Sequence, residues 1–377
     1  MAGTRCLRFP ARPAVAVLLL ALAVSSCGGG GTCIAPPPET AGRAKNVILL
    51  IGDGMGPDLI RAAGMYRTGS AGSLSFETFP YRGTVSTANA EGGVTDSAAA
   101  ATAMATGFKV YNGVLSVALP GSGVPLETIL ERLKADGKRT GLVTTTFLPH
   151  ATPAAFAAHE TARDNYPGIA AAYLGRTRPD VLLGGGEHMS EADARQAGYV
   201  AVTDRAGLAA IDPASATRVC GLFGNGHLPF EHDGLGPLPH LSEMTQAALR
   251  ILENSPAGFF LMVEGGLIDH AGHANDIARA IPETIEFSNA VGRAVEWARD
   301  RSDTLIQVTA DHETGGLQVT ANNGAGALPS VSWGTTEHTG ADVPLFGLGP
   351  GAGAITGRME NTEIFRIMGV AAGSGLR

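Results

Sequence analysis

The chain has 377 residues and a formal net charge of −8, from 35 acidic against 27 basic side chains. No stripe of Lys and Arg is available to displace phosphate counterions, which argues against a nucleic-acid partner. The length is enough to bury most of the unfolded surface in one large α/β domain, and a second domain is not required.

At the N-terminus, Arg5, Arg8 and Arg12 precede an apolar run from Ala14 to Val24. That run is too short to span a bilayer and suits the apolar stretch of an export signal. Val24, Ser25, Ser26 and Cys27 resemble a bacterial lipobox, in which the cysteine receives lipid; an ordinary cleavage site with an incidental cysteine is the alternative. Gly28 to Gly31 and Pro36 to Pro38 read as a flexible, then stiff tether. The expected layout is a signal peptide over 1–27, a tether over 28–44 and a single folded domain over 45–372. The expected location is the periplasm or cell surface, with the membrane touched only through lipid on Cys27. Cys6 falls in the leader and Cys33 in the tether, leaving Cys220 as the one cysteine of the folded body. A Cys33–Cys220 bridge is permitted in an oxidising compartment, but free thiols are the default.

Along the body, strand-like and helix-like segments alternate, the rhythm of a parallel sheet. Strands are expected at Val47–Ile51, Gly141–Thr146, Val181–Leu183, Phe259–Val263, Leu305–Thr309 and Val343–Leu348. Helices are expected at Ser97–Thr106, Leu126–Ala135, Pro153–Leu174, Glu243–Glu253 and Glu283–Arg299. Pro282 would head the last of these, with Glu283 and Glu286 at the positive end of its dipole.

Four stretches carry metal-type ligands: NVILLIGDG at Asp53, FFLMVEGGLIDHAGH from Glu264 to His273, TLIQVTADHE at Asp311 and His312, and TTEHTG at His338. In three of them an apolar strand comes first, and open α/β sheets gather their ligands at that edge. Asp, Glu and His together suit zinc on the imidazoles and magnesium on the oxygen-rich side. Each part has a plainer reading. Asp53 in GDGMG is an ordinary turn residue, and an Asp-x-x-x-His pair such as Asp269 and His273 is common. Adjacent Asp311 and His312 are harder to bury without a metal. In VTDSAAAATAMATG, Asp96 and Ser97 open an alanine-rich helix whose free N–H groups favour phosphate, although Thr95, Asp96 or Ser97 also reads as a simple N-cap.

These motifs, GDGMG, TDSAAAATA, VEGGLIDHAGH, TADHETGG and EHTG, resemble in combination those of the alkaline phosphatases of the two-zinc, one-magnesium type. The resemblance runs from about Lys45 to Met368. It implies a three-layer α/β sandwich with a mostly parallel central sheet flanked by helices. It further implies Ser97 as the nucleophile and Arg163, on the helix after Thr152, as a phosphate clamp. Asp53 would bridge the nucleophile-side zinc and the magnesium. Asp311 and His312 would complete that zinc, and Asp269, His273 and His338 would hold the second. Thr152 and Glu264 would finish the magnesium shell.

The best-known bacterial pattern has an aspartate at His150 and a lysine at His270, so these histidines put the identity of the third metal in question. Imidazole near an octahedral site favours zinc or cobalt over magnesium, unless both rings touch only water or phosphate. His227, His232 and His240 lie in a Gly- and Pro-rich loop and read as solvated side chains. Gly184 to Gly186 lack the lysine of a phosphate-binding loop and read as a tight strand exit.

The function implied is hydrolysis of small-molecule phosphate monoesters through a phosphoserine, releasing inorganic phosphate. The rivals are a phosphodiesterase or phosphonate hydrolase of the same superfamily and a non-catalytic zinc-binding lipoprotein. Family members are often homodimers, although no interface is legible in this chain.

Overall fold

The computed structural model describes residues 42–375. The leader, Cys6, Cys27, Cys33 and the tether as far as residue 41 lie outside the described residues. In chain order the strands are β1 (Asn46–Gly52), β2 (Tyr81–Ser86), β3 (Arg139–Phe147), β4 (Val181–Gly185), β5 (Val200–Val202), β6 (Val219–Leu222) and β7 (Phe259–Gly265). They continue as β8 (Thr304–Ala310), β9 (Glu313–Thr314), β10 (Gln318–Ala321), β11 (Ser330–Ser332), β12 (His338–Thr339), β13 (Val343–Leu348) and β14 (Arg358–Glu360).

One ten-stranded sheet has the order β14-β2-β13-β8-β1-β7-β3-β4-β6-β5. Its pairs are parallel except those of β13, which runs antiparallel to β8 and to β2. At the centre, β1, β7 and β8 are buried at every residue. Cover on both faces is why these strands carry continuous apolar runs instead of alternating ones. One layer packs around the Ile277–Ala298 helix and includes Pro57–Thr68, Leu241–Leu252 and Leu267–His273. The other joins Ser97–Thr106, Ile129–Ala135, Ala151–Ala157 and Thr362–Ala372. Among the described residues, no helix is long and apolar enough to cross a membrane. Among the described residues Cys220 is buried and has no disulfide partner.

Three helix expectations need correction. The helix expected from Leu126 begins at Ile129, because Thr128 and Glu131 form a reciprocal capping box. The expected Pro153–Leu174 helix is broken. Ala158 turns extended at φ −140° and ψ 161°, ending Ala151–Ala157, and a new helix, Tyr166–Ala171, starts only after Asn165 caps it. Arg163 therefore stands on the intervening loop and not on a helix. Pro282, expected at a helix head, sits inside Ile277–Ala298, because Asp276 caps the helix upstream by accepting from the N–H groups of Ala278 and Arg279 at 3.0 and 3.2 Å.

Glu283 and Glu286 consequently serve neighbouring segments instead of their own helix start. Glu283 accepts from the Glu231 N–H at 2.7 Å, and Glu286 from the Ser242 N–H at 2.7 Å in the first turn of Leu241–Leu252. Burial pushes the Glu283 carboxyl up to about 8 from an ordinary 4.5, and the charges of Glu231, Glu286 and Asp233 push the same way. A group whose folded pKa is raised contributes stability that is full below the unfolded pKa and lost as pH rises through the folded one. Glu283→Gln keeps the acceptor and cannot ionise. In thermal melts its gain over the parent is expected to be absent at about pH 4.5, to grow with pH, and to level off above about pH 8.

Candidate active site and metal centre

Sheet register builds the site. β1 lies between β7 and β8, with Ile51 opposite Glu264 and Gly52 opposite Ala310. The three strands therefore end together and deliver Asp53, Glu264, and the Asp311–His312 pair to one edge. β3, on the far side of β7, places Thr144 opposite Glu264, and the chain leaving β3 brings His150 and Thr152 to the same edge. The Leu267–His273 helix follows β7 and sets Asp269 and His273 one turn apart, within 3.4 Å of each other. His338 arrives on β12, which pairs with β9 so that His338 lies opposite Thr314.

Two ligand groups share the centre. Asp269, His273 and His338 bring one ligand atom each to within 4.8 Å of the others, and so do Asp53, Asp269 and His312. A third group, Asp53, His150 and Glu264, meets the same limit. His312 Nε2 lies 3.2 Å from Asp311 Oδ2 and 3.4 Å from Asp53 Oδ1. His273 Nε2 and His338 Nε2 stand 3.1 Å apart.

Four carboxylates are packed here with almost no solvent: Asp53 and Glu264 at 0%, Asp311 at 1% and Asp269 at 5% exposure. Burial, and then the charges of Asp311, Asp269 and Glu264, hold the Asp53 carboxyl well above its usual range. Burial likewise pushes Glu264 up to about 7. At Asp269 burial also acts upward, but the imidazoles of His273 and His338 outweigh it and pull the carboxyl well below its ordinary value. In return, Asp269 lifts His273 to about 9. A site this negative calls for cations. The oxygens without hydrogen-bond partners mark where: both of Asp53, Oδ2 of Asp311, Oε1 of Glu264 and Oγ1 of Thr152. Buried orphan acceptors cost several kcal/mol each unless something is bound to them. The residues present fit a cluster of divalent metals.

Ser97 is the first residue of its helix, and its Oγ lies 3.4 Å from His312 Nε2. Asp96 caps that helix, with Oδ1 accepting from the Ala99 N–H at 2.9 Å. Its other oxygen accepts from Arg163 Nη1 at 3.0 Å and from the Gly113 N–H at 2.9 Å. The second arm of Arg163, Nη2, reaches 3.4 Å from His150 Nε2. The cap reading thus holds for Asp96, and Ser97 follows it as the first residue of the helix. His270 joins none of the three ligand groups, and its ring packs against His150 and His227.

Several contributors went unnoticed in the sequence. Thr144 and Thr146 both donate to Glu264, the latter at 3.3 Å. Gly54 holds φ +68° and its N–H donates to Asp311 at 3.0 Å, while a Cβ there would meet Asp269 Cα at 2.9 Å. Glu313 accepts from the N–H groups of Gly316 and Leu317 and from Thr339, fixing the loop that carries His338. Of the loop histidines expected to be solvated, only His232 is exposed. His240 pairs with Glu231 at 2.8 Å, and Phe147 N–H donates to His227 Nδ1 at 3.2 Å. Glu231, His240 and Glu286 also cluster, but each already has a hydrogen-bond partner. The sequence held no signal for His227, because only the fold brings residue 147 to it.

Thr314 Oγ1 donates to Asp269 at 2.5 Å and lies 3.3 Å from His312 Nδ1, so one hydroxyl orients a ligand of each group. Thr314→Val removes both contacts at nearly constant volume. Affinity for a divalent metal, read with zinc by competition with a chromophoric chelator, is expected to fall by about 10- to 100-fold.

The alkaline phosphatase family profile matches residues 44–332. Alkaline phosphatase 3 of Bacillus subtilis (strain 168) is 32% identical, over 95% of this chain and 96% of its own length. Among solved structures, a cold-active alkaline phosphatase from the psychrophile Shewanella sp. superposes with a TM-score of 0.78 at 35% identity, covering 87% of this chain and 99% of that one. A His-to-Asp mutant of the alkaline phosphatase of the Antarctic bacterium TAB5, with Mg bound in its M3 site, gives 0.77 at 30% identity, covering 88% and 99%. The chain belongs to the alkaline phosphatase family.

Proposed function

We propose that the chain hydrolyses phosphate monoesters in two displacements, with Ser97 as the nucleophile. The observation that carries this reading is Ser97 Oγ, 3.4 Å from His312, at a helix mouth beside four buried carboxylates and the guanidinium of Arg163. Asp311, His312 and Asp53 would hold one zinc, and Asp269, His273 and His338 the other. Glu264, Thr152 and Asp53 would hold a third ion, magnesium in our reading, with His150 beside it. When bound, the metals supply Lewis acidity that lowers hydroxyl and water pKa values and offsets charge on the departing oxygen.

The chain's own residues supply the rest. Ser97 Oγ attacks phosphorus, the alcohol leaves, and a phosphoserine forms; water then displaces Ser97 and releases inorganic phosphate. Two inversions return retained configuration at phosphorus. Arg163 grips two equatorial oxygens, and its planar fork gains strength as charge builds in the transition state. A clamp on two unsubstituted oxygens favours the monoester dianion over a diester. Metal storage would need neither Ser97 nor Arg163, which disfavours a non-catalytic role.

For localisation we propose export, with lipid attached at Cys27. The segment that carries this reading is Arg5 to Cys27, and attachment there would leave the domain outside the bilayer. We propose no nucleic-acid partner, and homodimerisation as in other family members.

With an aryl phosphate at alkaline pH, Ser97→Ala is expected to lose activity on the order of 10^4-fold or more. Arg163→Ala is expected to lose about 100-fold or more, and chelation to abolish turnover. Turnover by Ser97→Ala at the parent rate would end the mechanism.

His150 bears on the third metal. Replacing its imidazole with a carboxylate adds a hard oxygen donor beside Asp53 and Glu264, and magnesium prefers oxygen. The TAB5 mutant with Mg in its M3 site also carries a His-to-Asp change. His150→Asp is therefore expected to raise bound magnesium and lower zinc or cobalt in elemental analysis of the purified protein.

A further inference from the structure

A short strap over residues 112–116, which the proposed mechanism does not use, ties together three elements that carry proposed site residues. At its start, Asn112 Oδ1 accepts from the Asp96 N–H at 3.1 Å, and Asn112 Nδ2 donates to the Val94 carbonyl at 3.0 Å. The Gly113 N–H then donates to Asp96 Oδ2 at 2.9 Å, the same oxygen that holds Arg163 Nη1 at 3.0 Å. Leu115 and Glu160 exchange two backbone hydrogen bonds of 2.9 Å each, which fixes the loop that carries Arg163. The Ser116 N–H donates to Thr102 Oγ1, on the Ser97–Thr106 helix, at 2.9 Å. Its hydroxyl donates to the Ala155 carbonyl, on the Ala151–Ala157 helix, at 2.5 Å, and its carbonyl accepts from His159 Nδ1 at 2.8 Å. The helix of Ser97, the helix of Thr152 and the loop of Arg163 are thus fastened by one run of chain.

The two ends of the strap differ. Ser116 is fully buried and holds φ +47°, a left-handed conformation that is costly for a residue with a side chain, so its three hydrogen bonds overdetermine it. Asn112 is exposed and contributes nothing to the core. Its amide is nonetheless oriented from behind, because Asn89 Nδ2 donates to Asn112 Oδ1 at 3.0 Å while Asn89 Oδ1 accepts from the Gly93 N–H at 3.0 Å. On the other side of the same backbone, His338 Nδ1 donates to the Thr95 carbonyl at 2.9 Å. The segment that leads into Ser97 is therefore gripped from both sides, and Asn112 supplies the grip on Asp96.

We propose that Asn112 is a positioning residue for phosphate binding: by accepting from the Asp96 N–H it fixes the direction of the Asp96 carboxylate, and through it the arm of Arg163. The inference rests on the phosphomonoesterase reading, because it takes Arg163 as the phosphate clamp. A guanidinium meets two oxygens of an anion only when its plane is aimed at them, so the carboxylate that aims it must itself be still. Asp96 Oδ1 is already committed to the Ala99 N–H of the helix cap. The main-chain N–H of Asp96 and the Gly113 N–H on its second oxygen are the remaining contacts that keep the carboxylate from rocking, and Asn112 and its neighbour make both. Small displacements of a group that holds substrate are costly in rate as well as in affinity.

The test is a double-mutant cycle. It measures kcat/KM for an aryl phosphate and the dissociation constant of inorganic phosphate in the parent, Asn112→Ala, Arg163→Ala and the double variant, all with full metal loading. Asn112 is exposed, so its truncation leaves the fold in place. Asn112→Ala is expected to lower kcat/KM and to raise the phosphate constant, each by about 3- to 10-fold, the worth of one lost hydrogen bond. In the Arg163→Ala background the same truncation is expected to change neither quantity, because two residues that act through one contact do not add. The same factor in both backgrounds would make Asn112 a general support of the loop and overturn the positioning role. So would a phosphate constant unchanged by Asn112→Ala alone, which leaves the clamp reading intact. If Arg163→Ala itself leaves the phosphate constant at the parent value, the clamp reading falls and the positioning role falls with it.

Discussion

Four carboxylates crowd one edge of the sheet with at most 5% exposure each, and the rest of the structure answers to that crowding. Two like charges 4 Å apart still repel by about 4 kcal/mol at the effective dielectric of a protein. No arrangement of hydrogen bonds alone removes a cost repeated over every pair in the cluster. The fold meets part of it with donors: Gly54 N–H and His312 N–H to Asp311, Thr144 and Thr146 to Glu264, Thr314 to Asp269. The oxygens those donors leave bare are the ones available to a cation. The threonine hydroxyls and backbone amides therefore set the direction in which Asp311, Glu264 and Asp269 can coordinate, while both oxygens of Asp53 stay bare.

Parallel register makes the crowding possible. A strand that ends one residue earlier or later would turn its terminal carboxylate to the other face of the sheet. β1, β7 and β8 hold their ends level, and the burial of every residue in them resists such a slip. The proposed nucleophile, Ser97, comes from a different kind of element. Every residue of the Ser97–Thr106 helix is buried, and its alanines let it pack closely against the Ala151–Ala157 helix that carries Thr152. Ser97 and Thr152, the proposed nucleophile and third-metal ligand, thus ride on one packed pair of helices.

Much of this was legible because the strongest signals coincide with the buried strands. Val47–Ile51 and Phe259–Val263 are apolar without interruption, so their strands and the ligands that follow could be read directly. Ser97–Thr106 was legible to the residue, since Asp96 caps one end and Gly107, at φ +78°, closes the other. Between Ala151 and Arg176 the alanine-rich composition favours helix on either side of Asn165, Pro167 and Gly168, which mark the restart, but nothing in it announces that Ala158 is extended. The loop that carries Arg163 was therefore hidden. β2, with exposed or half-exposed residues over Tyr81–Thr84, carries no apolar run to reveal it. Thr144 and Thr314 were illegible for a plainer reason. Hydroxyls are common, and only tertiary contact shows which of them touches a carboxylate.

Arg163 has its two amino arms divided, one on Asp96 and one on His150. Such a guanidinium is ordered before any ligand arrives, so the entropy of fixing a long side chain is met once, when the protein folds. In the proposed clamp role, an incoming anion would exchange only the weaker imidazole contact and leave in place the carboxylate that also caps the Ser97 helix. The departing product would return the arm to the same imidazole. Repeated cycles of capture and release would then use a side chain already anchored on Asp96.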